Sequence, residues 1–322
     1  MAVAPGMRGV PTTFWREIDR NRRRSWLLVA AMTALLLGVG ASIGYATGFG
    51  WSGILLAGIV AGVMSLGAYF AGDSLVLASS GARPVDLANP ADKHRQLVNV
   101  VTEMRLASGL PMPRVYVIDD SAPNAFATGR DPKRASLGVT TGLLAKLDRD
   151  ELQGVVGHEM SHVGNLDIRF ALLVGVLVGS IALLSDWFLR IAHIRDDDDA
   201  GGRARLVLIV VALLLAIVAP LVARLVQAAV SRTRESLADA SAVELTRNPV
   251  GLASALRKIA EDREVLEVAN RATQHMYIVN PIKPFEERAS SLWDTHPPIA
   301  ERIANLERIA GQMGGVGQGR LA

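Results

Sequence analysis

The sequence predicts an α-helical integral membrane protein. Four transmembrane helices form two hairpins, joined to a mostly α, α+β domain that carries a small sheet. Three observations lead there. Half of the 322 residues are hydrophobic and only 20% are charged, against about 25% charge in an ordinary soluble domain. The apolar residues are bunched into four runs of spanning length. The polar stretches between and after them show short β-branched runs and helical periodicity, as folded, water-soluble protein does.

The elements follow in chain order. Residues 1–25 are a polar segment ending in Arg20-Asn21-Arg22-Arg23-Arg24-Ser25. Trp26–Gly48 is uncharged and mostly apolar. At 1.5 Å per residue it covers about 30 Å, the thickness of a bilayer core, and it is too long for the apolar part of a signal peptide. After the turn at Phe49–Gly50, the run Trp51–Ala71 completes a first hairpin over 26–72. Residues 73–169 are the first part of the polar domain. Arg114–Asp119 and Ser136–Thr140 read as strands, and Asp120–Arg134, with Pro123, Asn124, Gly129 and Pro132, reads as a loop between them. Asp148–Asn165 reads as a helix, with Asp148 at the N-cap and Glu151 at capping-box spacing. Phe170–Leu189 and Leu206–Ala223 form a second hairpin over 170–223. The aspartates 196–199 in its turn are expected to be a solvated loop. Residues 224–310 are polar and helical, broken at Asn248-Pro249 and Asn280-Pro281, with a last helical run at Ile299–Ile309. The glycine-rich residues 311–322 are expected to be a flexible tail.

Charge sets the orientation. Arg8, Arg16, Arg20, Arg22, Arg23 and Arg24 precede the first span, whereas the Phe49–Gly50 turn is uncharged. The N-terminus is therefore expected inside, with both polar regions on the cytoplasmic side. A re-entrant second hairpin would leave them in the same compartment.

Absences narrow the chemistry. The chain has no cysteine, which excludes disulfides, thiolate metal sites and thiol nucleophiles. It has no G-x-x-x-x-G-K-[ST] and no G-x-S-x-G, so neither a nucleotide module nor a serine triad is expected. A net charge of +3 without a basic, aromatic stripe argues against nucleic acid.

His158-Glu159-Met160-Ser161-His162 is an H-E-x-x-H motif. Residues four apart on a helix share a face, so both imidazoles can reach one ion, and the glutamate can take a proton from the attacking water. A catalytic zinc needs a third protein ligand. The extension H-E-x-x-H-x-x-G-x-x-H would place it at 168, but positions 165 and 168 are Asn165 and Ile168. The candidate is Glu235 in Glu235-Ser236-Leu237-Ala238-Asp239. Asp239, one turn on, is placed to accept a hydrogen bond from a metal-bound histidine. His94, His193 and His275 have no partner at ligand spacing and are read as surface residues.

These motifs, in this order, resemble the HtpX-type integral-membrane zinc metalloproteases, relatives of the type I CAAX prenyl proteases. The likeness runs from Asn124-Ala125-Phe126-Ala127-Thr128-Gly129 through Thr140–Leu144 and Asp150-Glu151-Leu152 to His158–His162. It resumes at Glu235–Asp239, Asn280-Pro281 and Thr295-His296-Pro297-Pro298. The resemblance implies a zincin-like fold of the gluzincin type. It implies one Zn2+ per chain on His158, His162 and Glu235, with Glu159 as catalytic base. It further implies an endopeptidase of the bacterial inner membrane that cleaves misfolded or damaged membrane proteins and unfolded polypeptides on the cytoplasmic side, in stress-related quality control. The alternative is a membrane scaffold or chaperone that keeps the fold without the activity.

Three further expectations concern substrate. Only eight residues separate His162 from Phe170, so the metal is expected close above the lipid face. Ser136–Thr140 is expected to be a sheet edge that takes extended peptide, with Ser136, Gly138 and the loop residue Asn124 as contacts. His296 is a candidate stabiliser of the oxyanion, or else packs beside an N-cap at Asp294 or Thr295.

Overall fold

The computed structural model describes residues 50–173, 232–262 and 299–318, together with isolated helical positions within 19–41 and 206–217. Among them lie helix α1 (Gly50–Ser79), strand β1 (Arg83–Pro84), helix α2 (Asp92–Ser108) and strands β2 (Arg114–Ile118) and β3 (Ala125–Thr128). Strand β4 (Ser136–Thr140) and helices α3 (Thr141–Lys146), α4 (Arg149–Gly164), α5 (Arg232–Thr246), α6 (Pro249–Glu261) and α7 (Ile299–Gln318) follow. The first, third and fourth apolar runs lie almost wholly outside the described residues, as do many side chains of α1. Over the described residues alone, no helix is long and apolar enough to cross a membrane.

The sheet has the order β1-β2-β4-β3, with β2 and β4 parallel and the other pairs antiparallel. One face turns Val115, Val117, Leu137, Val139 and Ala125 toward α2, α4, α5 and α6. The other carries Ile118 and Phe126, packed on Val76 and Leu77 of α1 and on Leu172. Period-two alternation thus serves both faces at once.

Three sequence expectations need correction. The Asp120–Arg134 segment is not all loop: Asn124 and Thr140 tie it down, and Ala125–Thr128 adds an antiparallel strand to β4. Consequently β4 is an interior strand, hydrogen-bonded to β2 on one side and β3 on the other. It has no free edge for a peptide. The last helix also runs to Gln318, past Ile309 and into the segment expected to be a loose tail.

Helix α4 is the central rod, starting where expected. Asp148 accepts from Glu151 N, and the Glu151 side chain accepts from Asp148 N, a complete capping box. The Glu151 carboxylate also takes Ser254 and Lys258 from α6, which fixes α4 against that helix. At their crossing, a Cβ on Gly154 would lie 2.8 Å from the Leu252 backbone, and backbone cannot yield there. Gly154→Ala is expected to destabilise the fold by about 1–3 kcal/mol, as overpacking does. Thermal unfolding in detergent checks this, with Gly311→Ala, a helical position with open space around it, as the uncrowded comparison.

Candidate metal centre

The end of α4 and the start of α5 build the site. His158 and His162 lie one turn apart on α4, and their Nε2 atoms are 3.1 Å apart. Glu235, in the first turn of α5, offers one carboxylate oxygen to each, at 3.5 Å from His158 Nε2 and 3.6 Å from His162 Nε2. Among the described residues these three form the group able to hold a metal ion. An ion with bonds of ~2.0–2.1 Å in tetrahedral geometry needs its ligand atoms ~3.3 Å apart. The Nε2 pair lies near that value, and one ligand atom from each of the three residues falls within 4.8 Å of the others, so the donor set suits zinc in kind and lies within reach of one ion.

Each imidazole is held from behind. His158 Nδ1 lies 2.9 Å from Asp239 Oδ1, as the one-turn spacing from Glu235 implies. His162 Nδ1 lies 2.9 Å from Asp167 Oδ2. With Nδ1–H donating to a carboxylate, each ring keeps its Nε2 lone pair for a metal. Asp167 reaches back because Leu166 takes the left-handed region (φ 59°) and turns the chain after Gly164. For a residue that is not glycine this costs roughly 1–3 kcal/mol and is found where a site demands it.

Sequence reasoning missed Asp167 and two buried arginines. Arg302, on α7, donates from Nε to Asp239 Oδ2 at 2.9 Å and from Nη2 to Asp239 Oδ1 at 2.7 Å. Arg234, beside Glu235, puts Nε 3.2 Å from Asp167 Oδ1 and its guanidinium 5.3 Å from the Phe170 ring centre. The signal for Arg302 was an arginine inside the buried stripe Ile299, Ile303 and Leu306. Glu159 is buried on the same turn of α4 as His158.

The remaining candidates are scattered. Asn124 is buried at the start of β3, where Oδ1 accepts from Ala125 N at 3.0 Å. Ser136 is fully buried on the interior strand, and the face of Gly138 is filled by the Phe126 ring, 2.9 Å from where a Cβ would sit. His296 and the aspartates 196–199 lie outside the described residues.

The chain is similar to known proteins. The model of Peptidase family M48 matches residues 91–310. A protein named Protease HtpX homolog from Levilactobacillus brevis is 43% identical over 302 residues, covering 91% of this chain and 99% of its own. A Protease HtpX homolog from Thermoanaerobacter pseudethanolicus is 41% identical over 304 residues, covering 92% and 98%. Among solved structures, S. mikatae Ste24p is 17% identical with a TM-score of 0.47, over 91% of this chain and 66% of that one.

Charge supplies a second test of fit. Among the described residues, Glu159, Asp167, Glu235 and Asp239 are buried with Arg234 and Arg302 as the buried fixed cations. Counted as ionised, the cluster is two negative charges in excess, the complement of one divalent cation. Without a metal, protons take that place. Burial, and next the Arg302 charge, push His158 down, but hydrogen bonds to Asp239 and Glu235 outweigh both and raise it from 6.5 to about 9. Burial likewise opposes His162, yet the Glu235 charge and the Asp167 hydrogen bond raise it. Burial pushes Asp239 up, but the Arg302 charge prevails and holds it well below the usual carboxylate range. A raised histidine stabilises the metal-free fold fully below pH 6.5, and that contribution is lost as pH rises through about 9. Chelator-treated protein is therefore expected to melt at falling temperature across that window, while zinc-loaded protein does not. A flat metal-free profile would show that the imidazoles are not charged.

Proposed function

The chain belongs to Peptidase family M48, and we propose that it is a membrane-embedded zinc endopeptidase. It cleaves misfolded or damaged membrane proteins and unfolded polypeptides on the cytoplasmic side of a bacterial inner membrane. The observation that carries the reading is the convergence of both His Nε2 atoms and the Glu235 carboxylate, with Glu159 beside them.

Zinc, when bound, would supply Lewis acidity to polarise the scissile carbonyl and acidify water. The chain's own residues do the rest. His158, His162 and Glu235 hold the ion. Asp239 and Asp167 keep the rings in the tautomer that leaves Nε2 free. Glu159 accepts a proton from the attacking water at its carboxylate and returns it to the leaving amine. Burial of Glu159 among fixed charges keeps bulk water from competing for that proton.

The membrane part of the proposal rests on the four apolar runs and on α1. Trp51, Leu55, Ile59, Val63, Leu66 and Phe70 form an exposed apolar stripe along α1, a surface that lipid accepts and water does not. The same helix then packs Val76 and Leu77 into the domain, so the catalytic part sits directly on the bilayer.

Glu159→Gln tests the chemistry. It is expected to keep about one zinc per chain while losing casein cleavage by a factor of ~10² or more, as loss of a general base does. Wild-type cleavage by this variant would remove Glu159 from the reaction. The absence of cysteine makes topology testable. A single cysteine at Gly50 is expected to label with an impermeant maleimide outside intact cells. One at the exposed Ala88 is expected to label only after the membrane is opened. Labelling of the Ala88 site from outside would place the metal centre on the other side.

A further inference from the structure

We infer that Arg302 and Arg234 are positioning residues of the metal centre, each holding one histidine in place through a carboxylate. The inference rests on the reading of His158, His162 and Glu235 as that centre.

A carboxylate alone is a loose support, because it rotates and offers two equivalent oxygens. The Arg302 fork removes that freedom by engaging both oxygens of Asp239, at 2.9 and 2.7 Å. The oxygen that receives Nη2 is the one that faces His158 Nδ1 at 2.9 Å. The ring is thereby fixed with Nε2 toward His162 and Glu235. The third nitrogen of the fork, Nη1, lies 3.7 Å from Glu235 Oε2, so one guanidinium faces a ligand and the support of another. On the opposite side, Arg234 approaches Asp167 Oδ1 at 3.2 Å while Oδ2 faces His162 Nδ1. The Phe170 ring, 5.3 Å away, backs that guanidinium. Both arginines are buried, at 2% and 3% exposure.

Buried ions are usually paired, so an ion pair alone would say little. Here the second partner of each carboxylate is the Nδ1 of a metal-facing histidine, and this holds twice, from two different helices. Electrostatics and positioning also predict opposite signs. A fixed cation beside a metal site repels the metal, so deleting it would tighten binding by Coulomb's law alone. A positioning residue has the reverse effect, because its loss frees the ring; outer partners of metal ligands are typically worth 10–100-fold in affinity.

The test uses the full-length protein in detergent, stripped of metal and titrated with Co2+. The visible spectrum reports ligand geometry, and a competing chelator reports affinity. Arg302→Met is expected to bind cobalt about 10–100-fold more weakly, with an altered ligand-field band, although it removes a repelling charge. Arg302→Lys keeps the charge but not the fork and is expected to be weakened as well; it carries the test if the methionine variant does not fold. Adding Arg302→Met to Asp239→Asn is expected to cost little more than Asp239→Asn alone. Wild-type or tighter binding in Arg302→Met, wild-type binding in Arg302→Lys, or fully additive losses in the double variant would each overturn the proposal. Failure of the wild-type protein to bind cobalt would instead sink the metal-centre reading itself. Arg234→Met, expected to weaken binding through His162, applies the same logic to the other side.

Discussion

A short acidic side chain on one helix can meet two imidazoles on another only if the backbones approach closely. Helices in contact usually lie about 8–10 Å apart, set by the side chains between them. At the crossing of α4 and α5 those side chains are nearly absent. A Cβ on Gly157 would sit 3.6 Å from Ala242 Cα and 3.3 Å from the Thr246 methyl, and Ala238 and Ala242 are fully buried. The small residues bring the start of α5 over the end of α4, where Glu235 and Asp239 reach the two rings. The capping box and the Glu151 network hold the other end of α4, so the helix cannot slide to relieve the crowding. Core packing and chemistry are here one constraint.

Close approach concentrates charge in a dry place. Four carboxylates, two guanidiniums and two imidazoles share the buried volume, and none of these charges would be stable there alone. The cluster is tolerable because Asp167 and Asp239 each face a ring nitrogen and a guanidinium and Glu235 lies near Arg302, and because its residual charge matches an ion or two protons. Ligand selection and folding stability are thus set by the same groups, which is why the fixed arginines matter as much as the ligands.

How much of this the sequence revealed depends on whether a residue's role is local. His158, His162 and Glu159 are legible because their spacing is a helical period. Glu235 and Asp239 are legible as a pair for the same reason, and Asp148 with Glu151 as a cap. Strand β3 was hidden because its pairing partner, β4, lies ten residues on, and Pro123 and Gly129 mark turns at both ends. Its omission made β4 look like an edge. Asp167 was hidden because it acts through a left-handed turn at Leu166, which no propensity anticipates. Arg302 is 144 residues from the histidine it supports. Only its place in an apolar stripe marked it, and a stripe does not say what the charge will meet.

The spread of the centre along the chain follows from the cost of closing loops. The histidines and Asp167 come before the third and fourth apolar runs of the sequence, Arg234, Glu235 and Asp239 after them, and Arg302 from the last described helix. Closure entropy grows only with the logarithm of loop length, about 0.6 kcal/mol for each doubling. Inserting the seventy-two residues between His162 and Glu235 therefore costs little. What the insertion must preserve is the direction in which α5 returns to α4. Helix α7 packs on α6 and α5 and brings Arg302 to the pocket. Besides Arg302, His158 is the described cationic partner of Asp239. The last helix thus supplies the cation that lets a carboxylate remain buried beside the metal-facing ring.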